Sequence, residues 1–352
     1  MANNTLRSTG RPADLSSPSD ILRQIPVALL LAVVYTSFMV FIQLLLPYSG
    51  EHREKIAALL PSLREYGFMM AGAFICSTAA VIGASEGEGR GPKLFLPLLL
   101  ACFGAWCVIP NFSGLLLQGT PGTASFNDTL VSVAGGMVVS ALLLLLAFLC
   151  IPKLDSNGEK ARVKSGYQLN VVGLLLKILL LTVVYVVLYF VSWYFLQWRF
   201  EAARVFFSGV AENQGMDTEL VNVLLTNIRL IPVLLLKGLA YALIAVVPLR
   251  SFLDKRLSYM VLVALLFLSD AAMLLGPSPL IPADVRMAMA LDRGVSLLLF
   301  GLLTGFLLHG CYIPNPAAEV TRTAAVRSGA AGARPAAARP RQPADPTRPV
   351  AR

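Results

Sequence analysis

Two ionisable side chains interrupt otherwise apolar runs, where they could bind a solute or carry a proton. Lys237 lies in VLLLKGLAYALIAV (233–246) and Asp270 in YMVLVALLFLSDAAMLLG (259–276). A charge in the middle of a membrane costs up to ~2.5–3.5 kcal/mol, so such residues need a partner or a wet cavity. The long side chain of Lys237 can reach the membrane surface, whereas that of Asp270 is too short. Asp270 therefore needs a partner, and Lys237 is the first candidate.

The Lys237/Asp270 pair has two interpretations. The two runs are consecutive and joined by a short basic connection, so they predict antiparallel helices with both side chains at nearly the same depth. One interpretation is an ion pair between helices with a structural role only. The other is a binding or proton-coupling site on a transport path.

A second candidate is GLLTGFLLHG (301–310), in which Gly301, Gly305 and His309 recur every four residues. Residues four apart share a helix face, and glycines on such a face let membrane helices approach closely. We expect tight helix packing at this face. The alternative is a titrating role for His309.

The sequence offers little for catalysis or for a cofactor. It contains no HExxH, GxSxG or P-loop pattern. Its two histidines are His309 and His52, and the latter lies in a polar loop, which argues against a haem held by two histidines. The five cysteines lie in or beside apolar segments without CxxC spacing, which is typical of core packing. We therefore expect no cofactor and no metal, and an enzyme is the less favoured class.

Composition places these residues in a membrane protein. The 352 residues are 56% hydrophobic and 14% charged, with a mean hydropathy of +0.70, whereas a soluble domain carries roughly 25% charged residues. The net charge of +9 lies at the ends and in short loops, and the tail after residue 315 holds +5 of it (seven arginines against two acids). This distribution favours orientation in a lipid bilayer over nucleic-acid binding.

Eight apolar runs are long enough to span a bilayer, which predicts an all-α, polytopic membrane protein with eight transmembrane helices. The predicted spans are 26–46, 67–85, 92–110, 129–151, 171–197, 230–249, 258–276 and 294–313.

The distribution of Lys and Arg predicts the orientation of the spans. Basic residues mark the lead, the tail and the connections after spans 2, 4 and 6, which all lie on one side of an eight-span protein. The connection after span 3 (111–128) has no Lys or Arg. The first apolar run is too long for a signal peptide. We expect a multi-pass protein of a bacterial inner membrane with both termini cytoplasmic.

Short matches indicate an internal repeat of two parallel four-helix halves, related by an axis along the membrane normal. LLAVVY (30–35) in span 1 matches LLTVVY (180–185) in span 5, and CIPK (150–153) after span 4 resembles CYIPN (311–315) after span 8. The predicted organisation is a cytoplasmic lead (1–25), a first half (26–153), a cytoplasmic linker (154–170), a second half (171–315) and a disordered basic Ala/Pro/Arg tail (316–352).

The connections on the outer side and the tail suggest contact with lipid. Residues 51–66 and 199–226 carry amphipathic patterns that would lie on the membrane surface. The basic tail is expected to bind anionic lipid heads.

Two function classes fit these observations. The first is a transporter or permease for a small solute or lipid, with the level of Lys237 and Asp270 lining the path. The second is a non-enzymatic membrane scaffold, or an accessory subunit of an envelope complex, with a membrane-protein partner. A transporter predicts Asp270 beside a wet pocket, whereas a scaffold predicts both charges packed dry.

Overall fold

The computed structural model describes residues 18–47, 54, 63–89, 91–116, 125–151, 167–213, 215–226, 228–276, 278 and 280–314. Within these residues, eight helices are long and apolar enough to cross a membrane. This confirms the prediction of eight long apolar helices and is consistent with an all-α polytopic protein. The predicted basic tail (316–352) and most of the predicted amphipathic segment 51–66 lie outside the described residues.

The first four long helices are α1 (Pro18–Leu45), α2 (Leu63–Glu86), α3 and α4 (Phe126–Cys150). The third, α3, runs continuously through Pro92–Phe103, a π-helical turn at Gly104–Val108 and Ile109–Leu116. We call the end of the bundle at which α1 ends the distal end, and the opposite end the proximal end.

The second four long helices are α5 (Val171–Phe195), α8 (Leu230–Leu249), α9 (Arg256–Met273) and α10 (Ala283–His309). Between α5 and α8 the chain forms a 3₁₀ turn at Gln197–Arg199 and two short helices, α6 (Glu201–Ser208) and α7 (Met216–Thr226). Some of the long helices begin at a polar residue whose side chain caps the first turn. Asn170 Oδ1, for example, accepts a hydrogen bond from the Gly173 amide at the start of α5.

The start of α10 differs from the prediction, which placed it at residue 294. The helix begins at Ala283, and its first turns carry Asp284, Arg286, Asp292 and Arg293. These charges lower the local hydropathy, so the apolar run alone places the boundary too late. The structure instead buries Arg286 and Asp292 inside the bundle, which makes the segment part of the core.

All eight long helices belong to one compact unit, in which α9 packs against α2 and α10. The α9–α10 contact is close because the glycines of α10 face the α9 backbone. A Cβ added to Gly301 would lie 2.6 Å from Ala264 Cα, and one added to Gly305 would lie 2.7 Å from Met260 Cα. Small residues at such positions let membrane helices pack backbone to backbone.

A two-stranded antiparallel ribbon belongs to a second small unit. Its strands are β1 (Tyr167–Leu169) and β2 (Tyr312–Pro314), with Gln168 opposite Ile313. The ribbon thus joins the end of the predicted linker to the segment that follows α10.

Candidate functional site

Asp270 is the centre of a buried hydrogen-bond and ion-pair network. The Tyr241 hydroxyl donates a hydrogen bond of 2.6 Å to Asp270 Oδ2. Lys237 Nζ lies 3.9 Å from the same oxygen, and Arg293 Nη1 lies 3.5 Å from Asp270 Oδ1. The Asp270 side chain is only 2% exposed. Three donors therefore surround one carboxylate that water does not reach.

Three helices bring these groups together. Lys237 and Tyr241 are four residues apart on α8 and so share one face. Asp270 lies in the last turn of α9, and Arg293 lies on α10. Gly238 lets this part of α8 approach α5, because an added Cβ would lie 3.0 Å from the Thr182 carbonyl oxygen. The close packing holds the donors around Asp270.

Aromatic rings close one side of the network. The Tyr241 ring contacts Phe267, with ring centroids 4.6 Å apart, and Tyr185, at 5.6 Å. Phe300 packs on both Tyr185 and Phe267. In such a dry environment the attraction between charges is strong, but burying them carries a large desolvation cost. Loss of one partner should therefore cost more than the pair contributes.

A second buried carboxylate, Asp292, lies beside Arg293 on α10. Asp292 is 1% exposed, and among the described residues its Oδ1 has no hydrogen-bond partner. Asp292 and Arg293 attract each other electrostatically, which offsets part of the cost of burying two charges on α10.

A cavity of about 270 Å³ lies near the distal end, between α1, α2, α3, α4 and the end of α9. Most of its lining side chains are small or apolar. They include Tyr35 and Met39 of α1, Met69 and Gly72 of α2, Trp106, Cys107 and Asn111 of α3, Ser132 and Gly136 of α4, and Ala272 and Met273 of α9.

Glycines and local hydrogen bonds shape this cavity. A Cβ on Gly72 would lie 2.8 Å from the Ala272 carbonyl oxygen, and one on Gly136 would clash with Cys107 Sγ. Asn111 Nδ2 donates to the Cys107 carbonyl at 2.7 Å, so this polar side chain is bound to its own helix. Trp106 Nε1 is buried and has no hydrogen-bond partner within the described part of the chain. The cavity thus presents a mainly apolar wall with few polar groups.

Of the two groups of site residues predicted from sequence, the structure brings together Lys237 and Asp270. The second group, Gly301, Gly305 and His309, lies apart from this pair. Lys237 and Asp270 form the ion pair described above, but neither lines the cavity. Gly301 and Gly305 contact α9, as a packing face would. His309 lies at the proximal end, where its Nε2 is 3.2 Å from the Phe252 carbonyl oxygen. It is 16 residues, or about 24 Å along the helix, from Arg293.

Sequence reasoning missed Tyr241, Arg293 and the cavity. Tyr241 was detectable, because it follows Lys237 by one helical turn and can share its partner. Arg293 lies one residue before the predicted span 294–313. No local sequence pattern predicts the cavity, because its walls come from five different helices.

The chain matches no protein-family model, no curated protein and no solved structure. Among the described residues, no three His, Cys, Asp or Glu side chains are grouped so that they could hold a metal.

Proposed function

We propose that this multi-pass membrane protein transports a small apolar or amphiphilic molecule, such as a lipid or lipid-like solute, through the distal cavity. The cavity is the observation that carries the proposal. Its volume of about 270 Å³ is just below the ~300–1,000 Å³ of typical small-molecule sites. It therefore suits a small ligand or a segment of one acyl chain. The mainly apolar lining favours such a ligand over an ion or a sugar.

The contacts between helices support the proposed repeat of two parallel halves. The contact between α1 and α2 corresponds to the contact between α5 and α8. In the same way, the α2–α9 contact corresponds to α8–α3, and the α3–α4 contact corresponds to α9–α10. Matching contacts between equivalent helices are expected when two halves are related by an axis along the membrane normal, as in one class of transporters. Tyr35, which lines the cavity, and Tyr185, which packs against Tyr241, hold matching positions in LLAVVY and LLTVVY. One half thus has a cavity where the other has packed rings and charges.

The proposed path differs from the one expected from sequence. Lys237 and Asp270 are 4% and 2% exposed and lie outside the cavity lining. A solute path along their level would need these charges to face water. We therefore assign the solute to the cavity and a supporting role to the ion pair.

The charge distribution supports a bacterial inner-membrane protein with its proximal end in the cytoplasm. Arg250, Lys255 and Arg256 lie at that end, where α8 ends and α9 begins. Basic residues near the ends of membrane helices favour the cytoplasmic side. In this orientation the cavity lies towards the outer side of the membrane.

A scaffold or accessory subunit is the second candidate, favoured by the dry packing of Lys237 and Asp270. The outward face of α5 would be its docking surface for a membrane helix. This face exposes a continuous set of large apolar side chains: Val172, Leu175, Leu176, Leu179, Leu180, Val183 and Val187. Lipid tails would cover the same face in a transporter.

A reconstituted transport assay distinguishes the two candidates. Vesicles containing the protein would receive a fluorescent short-chain phospholipid analogue, and its movement between leaflets would be followed with a membrane-impermeant quencher. We expect Ser132→Phe to abolish the movement by filling the cavity. Val138→Phe is the matched control, because Val138 is 55% exposed on the same helix. Movement no faster than in protein-free vesicles would contradict lipid transport and favour the scaffold.

A further inference from the structure

The last turn of α9 joins the buried network to the cavity. Asp270 lies on this turn and is held by α8 and α10. Ala272 and Met273 follow within three residues and line the cavity, and Gly276 continues the lining after the helix ends. Residues two apart on a helix point about 200° away from each other. The turn therefore presents Asp270 to the network and Ala272 to the opposite side.

A second buried cation holds the same segment from α10. Arg286 Nη1 donates a hydrogen bond to the carbonyl oxygen of Gly276. Arg286 is 5% exposed, so water competes little for this contact. Asp270 and Arg286 thus fix the cavity wall at its two ends.

The cavity side of this wall contacts α2 through backbone and uncharged side chains. Gly72 of α2 approaches the Ala272 carbonyl closely, with no side chain between them. Met69 and Met273, two flexible side chains, complete this part of the lining. The residues that line the cavity carry no charge, so the charged contacts of Asp270 and Arg286 hold this segment from its other side.

We propose that Tyr241, Asp270 and Arg286 are positioning residues that set the α9 wall of the distal cavity. Asp270 and Arg286, which belong to the second half, would then shape a cavity whose other walls come from the first half. Neither residue would touch the ligand in that cavity. The proposal rests on the proposed function only for the identity of the ligand, since the wall and its contacts can be tested without one.

Labelling of Cys107 by a small thiol reagent tests this proposal. Cys107 lines the cavity and is 6% exposed, whereas Cys76 and Cys102 are at most 1% exposed and lie outside the lining. Mass spectrometry of the full-length protein in lipid would give a separate labelling rate for each cysteine. The two deeper thiols then report any general loosening of the bundle.

We expect Tyr241→Phe and Arg286→Gln each to raise the Cys107 labelling rate about tenfold, because losing a hydrogen bond to a charged group shifts a local opening by that order. The rates at Cys76 and Cys102 should stay unchanged. Arg286→Lys keeps a cationic donor for the Gly276 carbonyl and should restore most of the protection. Asp270→Asn should act in the same direction as Tyr241→Phe.

Lys255→Gln is the matched control. It breaks the 2.6 Å ion pair between Lys255 and Glu86 at the proximal end, away from the cavity, and should leave Cys107 labelling unchanged. Cys107 rates within twofold of the parent in Tyr241→Phe and Arg286→Gln would overturn the proposal. So would equal increases at all three cysteines, because they would indicate a general loss of packing.

The outcome is independent of transport activity. A wild-type protein that moves no lipid but shows the Cys107 pattern would refute the transport function and retain the positioning role. If the protein transports lipid but substitutions at Tyr241, Asp270 and Arg286 leave the Cys107 labelling rate unchanged, only the positioning role is refuted.

Discussion

The Tyr241 hydroxyl lies 2.6 Å from Asp270 Oδ2, whereas Lys237 Nζ lies 3.9 Å from the same oxygen. The shortest contact of the buried carboxylate is thus with a neutral donor on the same face of α8 as the lysine. Hydrogen bonds to charged groups contribute more than those between neutral groups. Tyr241 is therefore expected to stabilise the buried Asp270 carboxylate alongside the two cations.

Tyr241→Phe should lower the free energy of unfolding by about 1.5–3 kcal/mol, since it removes a hydrogen bond to a buried carboxylate. Tyr259→Phe is the matched control, because the Tyr259 hydroxyl donates at 2.7 Å to the neutral carbonyl of Ala245. The smaller loss of about 1 kcal/mol is expected there. Equilibrium unfolding in detergent would measure both. An equal or smaller loss for Tyr241→Phe would show that Asp270 does not depend on this bond.

Asp270→Asn should be more damaging than the loss of both members of the ion pair. The single change leaves two buried cations without their carboxylate and should cost about 3–5 kcal/mol. Adding Lys237→Met removes one of these cations and should recover part of the stability. The recovery is partial because Arg293 remains, 3.5 Å from the same side chain in the parent. Thermal unfolding of the two variants compares them, and an Asp270→Asn protein as stable as the parent would refute the pairing.

Gly301→Ala should destabilise the bundle by about 1–3 kcal/mol, because overpacking forces neighbouring atoms apart. The new Cβ would lie 2.6 Å from the backbone of Ala264. Gly294→Ala on the same helix is the control, since its Cβ would have ordinary contacts at 3.9 Å. That change should be neutral or stabilise the helix by up to about 1 kcal/mol. Similar unfolding midpoints for the two variants would show that α9 and α10 pack more loosely than described.

Cys150 should react with a membrane-impermeant thiol reagent from the cytoplasmic side only. It is the exposed cysteine at the proximal end of α4, the end that the proposed orientation puts in the cytoplasm. Inverted membrane vesicles should therefore show rapid labelling at Cys150, and intact spheroplasts should not. The reverse pattern would invert the proposed topology.

The long helices were predictable from sequence because each contains an apolar run long enough to span a membrane. The proximity of Lys237 and Asp270 was predictable for a related reason, since consecutive antiparallel spans bring residues at equal depth together. Arg293 was not, because the charges that α10 buries make its first turns look like a polar loop. Only the packing of α10 against α9 shows that these turns belong to the core.

The cavity was not predictable from sequence for a different reason. Met39, Met69 and Met273 come from three helices, and each alone is typical of a packed core. A cavity arises only where several such side chains fail to fill the space between helices. This depends on tertiary contacts such as Gly72 against the α9 backbone, which no local pattern encodes.

The most direct test of a ligand site in the distal cavity is to map where a photoreactive fatty-acid analogue attaches to the protein in lipid vesicles. We expect attachment to Met39, Met69 and Cys107 of the distal cavity. An excess of unlabelled lipid analogue should compete for these positions, and Ser132→Phe should abolish the attachment. Attachment confined to exposed apolar side chains of α5 such as Leu175 and Leu179, and unchanged by Ser132→Phe, would contradict a ligand site in the cavity.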